Sequence, residues 1–142
     1  MAWTNLPLSD LPQVNDILCC RIPDRRNRTA PADPPHPVIV RHIDQNDKAQ
    51  EAIIHCIYGT TNLKDRAAVD LVIQSLRDIA NHGLRDATRF DLADDNTIPC
   101  LWTSEFFPYR YRLGCLNADS KRKMENRFRW NGAAWTPPAP VV

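Results

Sequence analysis

Short runs of apolar residues, separated by polar turns and prolines, recur along most of this chain and predict β-strands. The predicted strands cover residues 16–22, 37–44, 50–58, 87–92, 97–102 and 109–116, and residues 70–73 could extend the sheet. The second and third strands are joined by the polar turn 45–48, and their apolar runs favour burial on both faces. Pro99 predicts that its strand lies at an edge of the sheet or carries a bulge.

Two segments have helical spacing instead. In residues 75–82 the apolar positions follow a helical period up to Gly83, which predicts a short helix that ends there. Asn117 or Asp119 can cap a final helix that runs to Trp130, with apolar residues four apart on its inner face. The fold class predicted from these elements is mainly β (α+β), a small, strongly bent barrel with an inserted helix and a C-terminal helix.

The chain has 142 residues, which suits a single domain. We expect an N-terminal arm at residues 1–14, a barrel domain at 15–130 with a long proline-rich loop at 23–37, and a proline-rich tail at 131–142. No apolar run approaches the ~20 residues that cross a bilayer, so we expect no membrane contact. Residues 1–14 lack the pattern of a secretory signal, and a cytoplasmic location is the expectation.

The formal net charge of +1 hides an uneven distribution. Arginines crowd the first loop, and acidic residues collect in the middle of the chain. Such a basic loop suits a phosphate backbone, although solvated faces with local ion pairs explain each cluster equally well. The candidate residues for binding a nucleic acid are Arg21, Arg25, Arg26 and Arg28.

The five cysteines form no CxxC pair, and an odd number argues against a complete set of disulfides. We expect buried thiols that behave as small apolar side chains. His42, His55 and Cys56 could approach one another across adjacent strands as zinc ligands, but a fourth ligand is not evident. The sequence therefore predicts no metal and no cofactor.

The third predicted strand breaks at Gly59 and is followed by two hydroxyl residues, Thr60 and Thr61. His36 precedes the second strand. Hydroxyls and basic groups at the mouth of a small barrel can act on phosphate, and a histidine can serve there as general acid or base. The alternatives are that the hydroxyls cap a turn and that His36 is only a polar loop residue.

Several short motifs together resemble the MazF/PemK toxin superfamily over roughly residues 14–130, and the later ones look like a PemK-like subgroup of uncharacterised bacterial and phage proteins. The motifs are Asn15-Asp16-Ile17, His36-Pro37-Val38-Ile39-Val40, Tyr58-Gly59-Thr60-Thr61, Gly83-Leu84, Thr88-Arg89-Phe90-Asp91-Leu92 and Leu113-Gly114-Cys115-Leu116. The resemblance implies an SH3-like barrel. It also implies a homodimeric endoribonuclease that cuts single-stranded RNA without metal and is paired with an antitoxin covering the RNA groove.

In that family the 2′-hydroxyl attacks the adjacent phosphorus, an arginine beside the proline of the second strand stabilises the developing charge, and a Thr or Ser after the third strand assists. The hydroxyl carries over to Thr60 or Thr61. The arginine does not carry over, because His36 occupies its position. Activity is therefore expected to be lost or altered unless one of the four loop arginines supplies the charge.

A second hypothesis stays open, which assigns the protein to a non-catalytic functional class. The same barrel could bind a protein or a nucleic acid without catalysis, as an inhibitor or regulator encoded by a phage or mobile element does. The two hypotheses differ in turnover: the first predicts cleavage of single-stranded RNA without added metal, and the second predicts binding alone.

Overall fold

The computed structural model of the protein describes residues 4–24, 27, 29–64, 69–93, 97–108 and 111–130. Its strands are β1 (Asp16–Cys20), β2 (His36–Asn46), β3 (Glu51–Thr60), β4 (Leu71–Ile73), β5 (Thr88–Phe90), β6 (Thr97–Leu101) and β7 (Arg112–Cys115). Its helices are α1 (Leu76–Asn81) and α2 (Ala118–Trp130), and a single 3₁₀ turn spans Leu8–Asp10. The prediction of a mainly β protein with two helices is confirmed in this form.

All strand pairs are antiparallel, and the strands follow the order β4-β5-β3-β2-β1-β7. Strand β6 adds to β3 along Ile53–Ile57, and β5 joins β3 just beyond it, at Gly59 and Thr60. The sheet curls into a half-barrel. The long strands β2 and β3 form its centre, with a bulge between Val40 and His42.

Two apolar clusters lie on opposite faces of the curled sheet, because successive side chains of a strand point to opposite sides. One fills the concave side and includes Leu18, Val40, Ile54, Trp102 and Phe107. The other lies under α2 and includes Ile17, Ile39, Ile57, Phe90 and Met124. The central strands are therefore buried on both faces, as their continuous apolar runs predict.

The capping residues of both helices agree with the sequence. Ser75 caps α1 by accepting a hydrogen bond from the Asp78 backbone N–H at 3.1 Å, and Gly83 follows the helix with a φ of 72°. Asn117 caps α2, since its Oδ1 accepts from the Ser120 N–H at 2.8 Å. Phe128, on the inner face of α2, lies 4.5 Å below the guanidinium of Arg41.

Five strands are shorter than predicted. Strand β4 begins one residue later, β6 ends one residue earlier, and β5 covers three of its six predicted residues. Strand β1 ends at Cys20, because the Arg21 N–H donates to the Phe106 carbonyl at 2.8 Å and leaves the ladder. Strand β7 begins at Arg112, and residues 109 and 110 of the predicted strand lie outside the described residues. Pro99 sits in β6, which pairs only with β3 among the described strands, as expected of an edge strand.

The described part of the N-terminal segment lies against the concave cluster. Leu6 donates its N–H to the Trp102 carbonyl at 3.0 Å, and the Trp102 indole donates to the Pro7 carbonyl at 3.1 Å. Residues 131–142, the predicted tail, are outside the described residues. None of the described helices is both long and apolar enough to cross a membrane.

Candidate functional site

The candidate site forms where β2 begins and β3 ends. Strand β3 continues past its last pairing with β2, at Tyr58, and its final residues Gly59 and Thr60 pair with Phe90 and Arg89 of β5. Gly59 is required here: a Cβ at this position would lie 2.5 Å from the carbonyl oxygen of Pro37. The glycine therefore lets the start of β2 approach the end of β3 closely.

His36 stands at this crossing and packs against an aromatic ring. Its imidazole lies 5.0 Å from the Tyr58 ring, centroid to centroid, with the two planes tilted by 58°. Burial lowers the pKa of His36 below its ordinary value of 6.5, and a hydrogen bond with the Gly59 backbone offsets part of that change. The imidazole is consequently neutral at neutral pH and can accept a proton.

Arg89 supplies a fixed positive charge beside these residues. Its Nε donates to the Asn62 carbonyl at 2.9 Å, and its Nη1 lies 2.9 Å from Oδ2 of Asp70. A second carboxylate, on Asp91, is 3.9 Å from the same Nη1. Among the described residues, none makes a hydrogen bond or ion pair with Nη2 of Arg89. The guanidinium is thus held in one orientation, and the described residues leave part of its donor capacity unused.

Arg89 is not among the arginines that the sequence predicts for this role, because the proline-rich loop carries the conspicuous cluster. A signal is present nonetheless. Arg89 is the middle residue of β5, all three residues of which are buried, and a buried arginine must be paired. Its partner Asp70 lies 19 residues earlier and can be found only from the pairing of β4 with β5.

A cleft of about 450 Å³ opens at this crossing. Its lining includes basic, hydroxyl and amide side chains: His36, Tyr58, Thr60, Asn62, Lys64 and Arg89. It also includes three carboxylates: Asp24, Asp33 and Asp91. The cleft therefore has a mixed charge in its described portion, and its volume is within the range of small-molecule binding sites.

The structure separates the two predicted threonines. Thr60 lines the cleft, and its Oγ1 accepts a hydrogen bond from the Asn62 N–H at 3.1 Å. Thr61 is exposed and is not among the residues that line the cleft. Of the three predicted catalytic residues, His36 and Thr60 are therefore brought together and Thr61 is not.

Of the four predicted RNA-binding arginines, one lies within the described residues. Arg21 is not among the residues that line the cleft, but its Nε is 3.0 Å from Oδ1 of the cleft residue Asp33. Arg25, Arg26 and Arg28 lie outside the described residues.

The predicted zinc ligands do not converge, so the suggested set of His42, His55 and Cys56 is wrong. Neighbouring residues of a strand point to opposite faces, and Cys56 therefore joins the concave cluster while His55 faces away from it. The two imidazoles instead share one carboxylate: Nε2 of His42 and Nε2 of His55 each lie 2.9 Å from an oxygen of Asp44.

Comparison with known proteins adds no relative. No protein-family model matches this chain and no curated protein matches it in sequence, so membership of the MazF/PemK superfamily stays a prediction that rests on the short motifs.

Proposed function

We propose that this protein is a metal-independent endoribonuclease of the MazF/PemK type, built on an SH3-like barrel, that acts on single-stranded RNA. The observation that carries the proposal is the position of Arg89. A guanidinium fixed by Asp70 lines the same cleft as His36 and Thr60. In the family, an arginine beside the proline of the second strand supplies the cation, and His36 occupies that position here. Arg89 of β5 supplies the cation instead.

In the proposed reaction, the RNA 2′-hydroxyl attacks the adjacent phosphorus. The neutral imidazole of His36 takes the proton of the 2′-hydroxyl, because its lowered pKa leaves it unprotonated. The bond between the 2′-oxygen and phosphorus forms, and the bond from phosphorus to the 5′-oxygen breaks. The imidazolium returns the proton to the leaving 5′-oxygen, which leaves a 2′,3′-cyclic phosphate and a 5′-hydroxyl.

In this scheme, Arg89 and Thr60 donate hydrogen bonds to the non-bridging oxygens of the phosphate. Negative charge grows on those oxygens as the phosphorane forms, and a preorganised guanidinium stabilises it most when no reorientation is needed. The Thr60 hydroxyl accepts from Asn62 and so keeps its own hydrogen for donation to the phosphate.

The binding partners follow from the resemblance. We propose that Arg21, Arg25, Arg26 and Arg28 contact the RNA backbone on either side of the scissile phosphate. A homodimer and an antitoxin that covers the cleft complete the proposed system. Phosphate contacts of this kind make affinity fall steeply as salt rises.

The test is incubation of the purified protein with a long single-stranded RNA in EDTA, with the products resolved by electrophoresis and their ends identified. We expect discrete fragments ending in a cyclic phosphate. Arg89→Lys keeps the charge but loses the forked geometry, and we expect it to slow cleavage by ~10²-fold. His36→Ala and Thr60→Val should also lose cleavage.

Thr61→Val is the matched comparison for Thr60→Val, because both remove one hydroxyl from adjacent residues and only Thr60 lines the cleft. We expect Thr61→Val to cleave as the wild type does. Circular dichroism of each variant separates loss of chemistry from loss of fold. RNA left intact by the folded wild-type protein, or cleavage unchanged in folded His36→Ala and Arg89→Lys variants, contradicts the proposal.

The carboxylates of the cleft favour one alternative, a module that binds without turnover. Asp24, Asp33 and Asp91 line the same cleft as Lys64 and Arg89, and such a surface suits a basic segment of a protein better than a polyanion. This second candidate predicts that RNA stays intact and that a lysine- and arginine-rich peptide binds more tightly than RNA of equal length. Fluorescence anisotropy with both probes at two salt concentrations distinguishes the two functions.

A further inference from the structure

Three cysteine side chains meet inside the half-barrel, far along the chain from one another. They are Cys20 of β1, Cys56 of β3 and Cys100 of β6, which we call the three-thiol cluster. Their Sγ atoms all lie within 4.8 Å of one another, and the residues are 0%, 0% and 1% exposed. Within the part of the chain that the structure describes, no other three His, Cys, Asp or Glu side chains converge so closely.

The register of β3 with β6 explains how two of the thiols come together. Cys100 is directly opposite Ile54, which is two residues before Cys56 on β3. Residues two apart on a strand share a face, and so do directly paired residues of neighbouring strands. Cys56 and Cys100 therefore both point into the concave cluster.

The third thiol arrives through the curl of the sheet. Strands β1 and β6 are separated by β2 and β3, and in a flat sheet with strands ~4.8 Å apart they would be roughly 14 Å from each other. Cys20 nonetheless comes within 4.8 Å of Cys100. The cluster is thus a product of the curled shape and of no short sequence motif.

We propose that the three-thiol cluster is a binding site for a soft monovalent metal ion of the Cu(I) type, held by sulfur from three strands. Thiolate sulfur selects soft ions such as Cu(I). A trigonal site with metal–sulfur bonds of ~2.3 Å has sulfurs ~4.0 Å apart, within the separation found here.

The coordination number separates Cu(I) from Zn²⁺. Structural zinc takes four ligands in a tetrahedron, and no fourth His, Cys, Asp or Glu joins the group among the described residues. The surroundings are apolar and include Leu18, Ile54 and Trp102. These side chains supply no oxygen ligand and keep water away from the ion. The nearest oxygens given for the thiols are backbone carbonyls, of Ile54 at 3.5 Å from Sγ of Cys56 and of Ile98 at 3.8 Å from Sγ of Cys100.

Binding is an exchange of protons for metal, with no change of oxidation state. Burial raises the pKa of the Cys20 and Cys56 thiols well above the ordinary value, so the metal-free site is protonated at neutral pH. Each thiol that becomes a thiolate ligand breaks its S–H bond, forms a Cu–S bond and releases a proton to solvent. Because the site is enclosed, the ion enters during folding or a large opening.

The experiment loads the metal under conditions that expose the site. The full chain is unfolded in denaturant without oxygen, refolded with Cu(I) alone, and passed over a Cu(I) chelator that strips weakly held ions. We expect about one copper retained per chain, a sulfur-to-copper charge-transfer band, and a higher midpoint of denaturant unfolding than for protein refolded without metal. Cu(I) added to the folded protein should be taken up far more slowly.

The chain contains its own controls in the cysteines outside the cluster. Cys19 is half-buried and Cys115 is exposed, and neither belongs to the group. Cys19→Ser and Cys115→Ser should retain copper, whereas Cys56→Ala and Cys100→Ala should lose it. Should an alanine variant fail to fold, Cys56→Val restores the apolar volume, and its unfolding midpoint must not respond to Cu(I).

Three results overturn the proposal. One is that refolded wild-type protein keeps no copper. Another is that copper retention depends on Cys19 or Cys115, which places the metal on accessible thiols. The last is stronger retention of Zn²⁺ than of Cu(I) in parallel refolding, which contradicts a trigonal soft-metal site. None of these outcomes depends on cleavage of RNA.

Discussion

Arg89 and Asp70 form an ion pair inside the protein, with 2.9 Å between Nη1 and Oδ2 and side chains that are 7% and 0% exposed. The second oxygen of Asp70 accepts the Leu92 N–H at 3.0 Å. The carboxylate, which lies just before β4, therefore connects that strand to the segment that follows β5. This arrangement places a charge beside the cleft, but the burial of two ions carries a desolvation penalty. Buried ionisable groups with a close charged partner are common at functional sites.

Removal of Asp70 should therefore be strongly destabilising. Asp70→Ala leaves the guanidinium of Arg89 buried without its main partner and removes the acceptor for the Leu92 N–H. We expect the free energy of unfolding to fall by about 3–5 kcal/mol, measured by urea denaturation. Replacement of the pair together, as Asp70→Leu with Arg89→Met, should cost less than Asp70→Ala alone. A loss below about 1 kcal/mol in Asp70→Ala would show that the pair is solvated.

The same pair shows where sequence reasoning reaches its limit. The strands and α2 follow from periodicity, and Asn117, Met124 and Phe128 occupy the cap and inner face that the spacing predicts. The nearness of His36 and Thr60 could also be expected from sequence, since each adjoins a strand end marked by proline or glycine, and both line the cleft. These are local features, and local sequence determines them.

Arg89 and the three-thiol cluster depend on tertiary structure instead. The role of Arg89 depends on the pairing of β4 with β5, and the cluster depends on the curl that brings β1 to β6. The incorrect zinc set has the same origin: His42 and His55 do face each other, but the alternation of β3 sends Cys56 to the other side. Pairing partners and curvature are long-range properties that one sequence does not specify by pattern alone.

The titration of His36 tests the environment of the cleft directly. Its folded pKa is lowered by burial, so we expect the imidazole signals in a proton NMR titration to give a value below 6.5. Tyr58→Ala removes the ring that covers the imidazole, and the pKa should then move up toward 6.5. Because the unfolded state binds the proton more readily, His36 makes the folded protein less stable as the pH falls through 6.5 to the folded pKa.

Catalysis by His36 would follow the same titration. If the neutral imidazole is the base, the acidic limb of the pH–rate profile should have its midpoint at the NMR pKa of His36. A midpoint that stays in place when Tyr58→Ala shifts the NMR pKa would assign the limb to another group.

Asp44 should give the protein part of its resistance to acid. Burial alone would raise the pKa of Asp44, but hydrogen bonds with His55 and His42 outweigh it and hold the pKa below its ordinary value of 3.8. A depressed carboxyl pKa stabilises the fold above pH 3.8, and this contribution is lost as the pH falls through the folded pKa. Denaturation of the wild type should show this loss, and Asp44→Asn should show less of it. Glu51→Gln, an exposed change on β3, should leave the acid dependence as in the wild type.

The close contact at Gly59 should not tolerate a side chain. A methyl group there would lie 2.5 Å from the Pro37 carbonyl oxygen and 2.8 Å from Cε1 of Phe90, so β3 must move away from β2 or β5. We expect Gly59→Ala to lower the free energy of unfolding by ~1–3 kcal/mol in urea denaturation, whereas Glu51→Ala at the exposed start of the same strand changes it little. Since Thr60 pairs with Arg89 one residue later, the displacement should also weaken any activity of the cleft. A Gly59→Ala protein as stable as the wild type would mean that the crossing of His36-Pro37 over β3 is looser than the structure indicates.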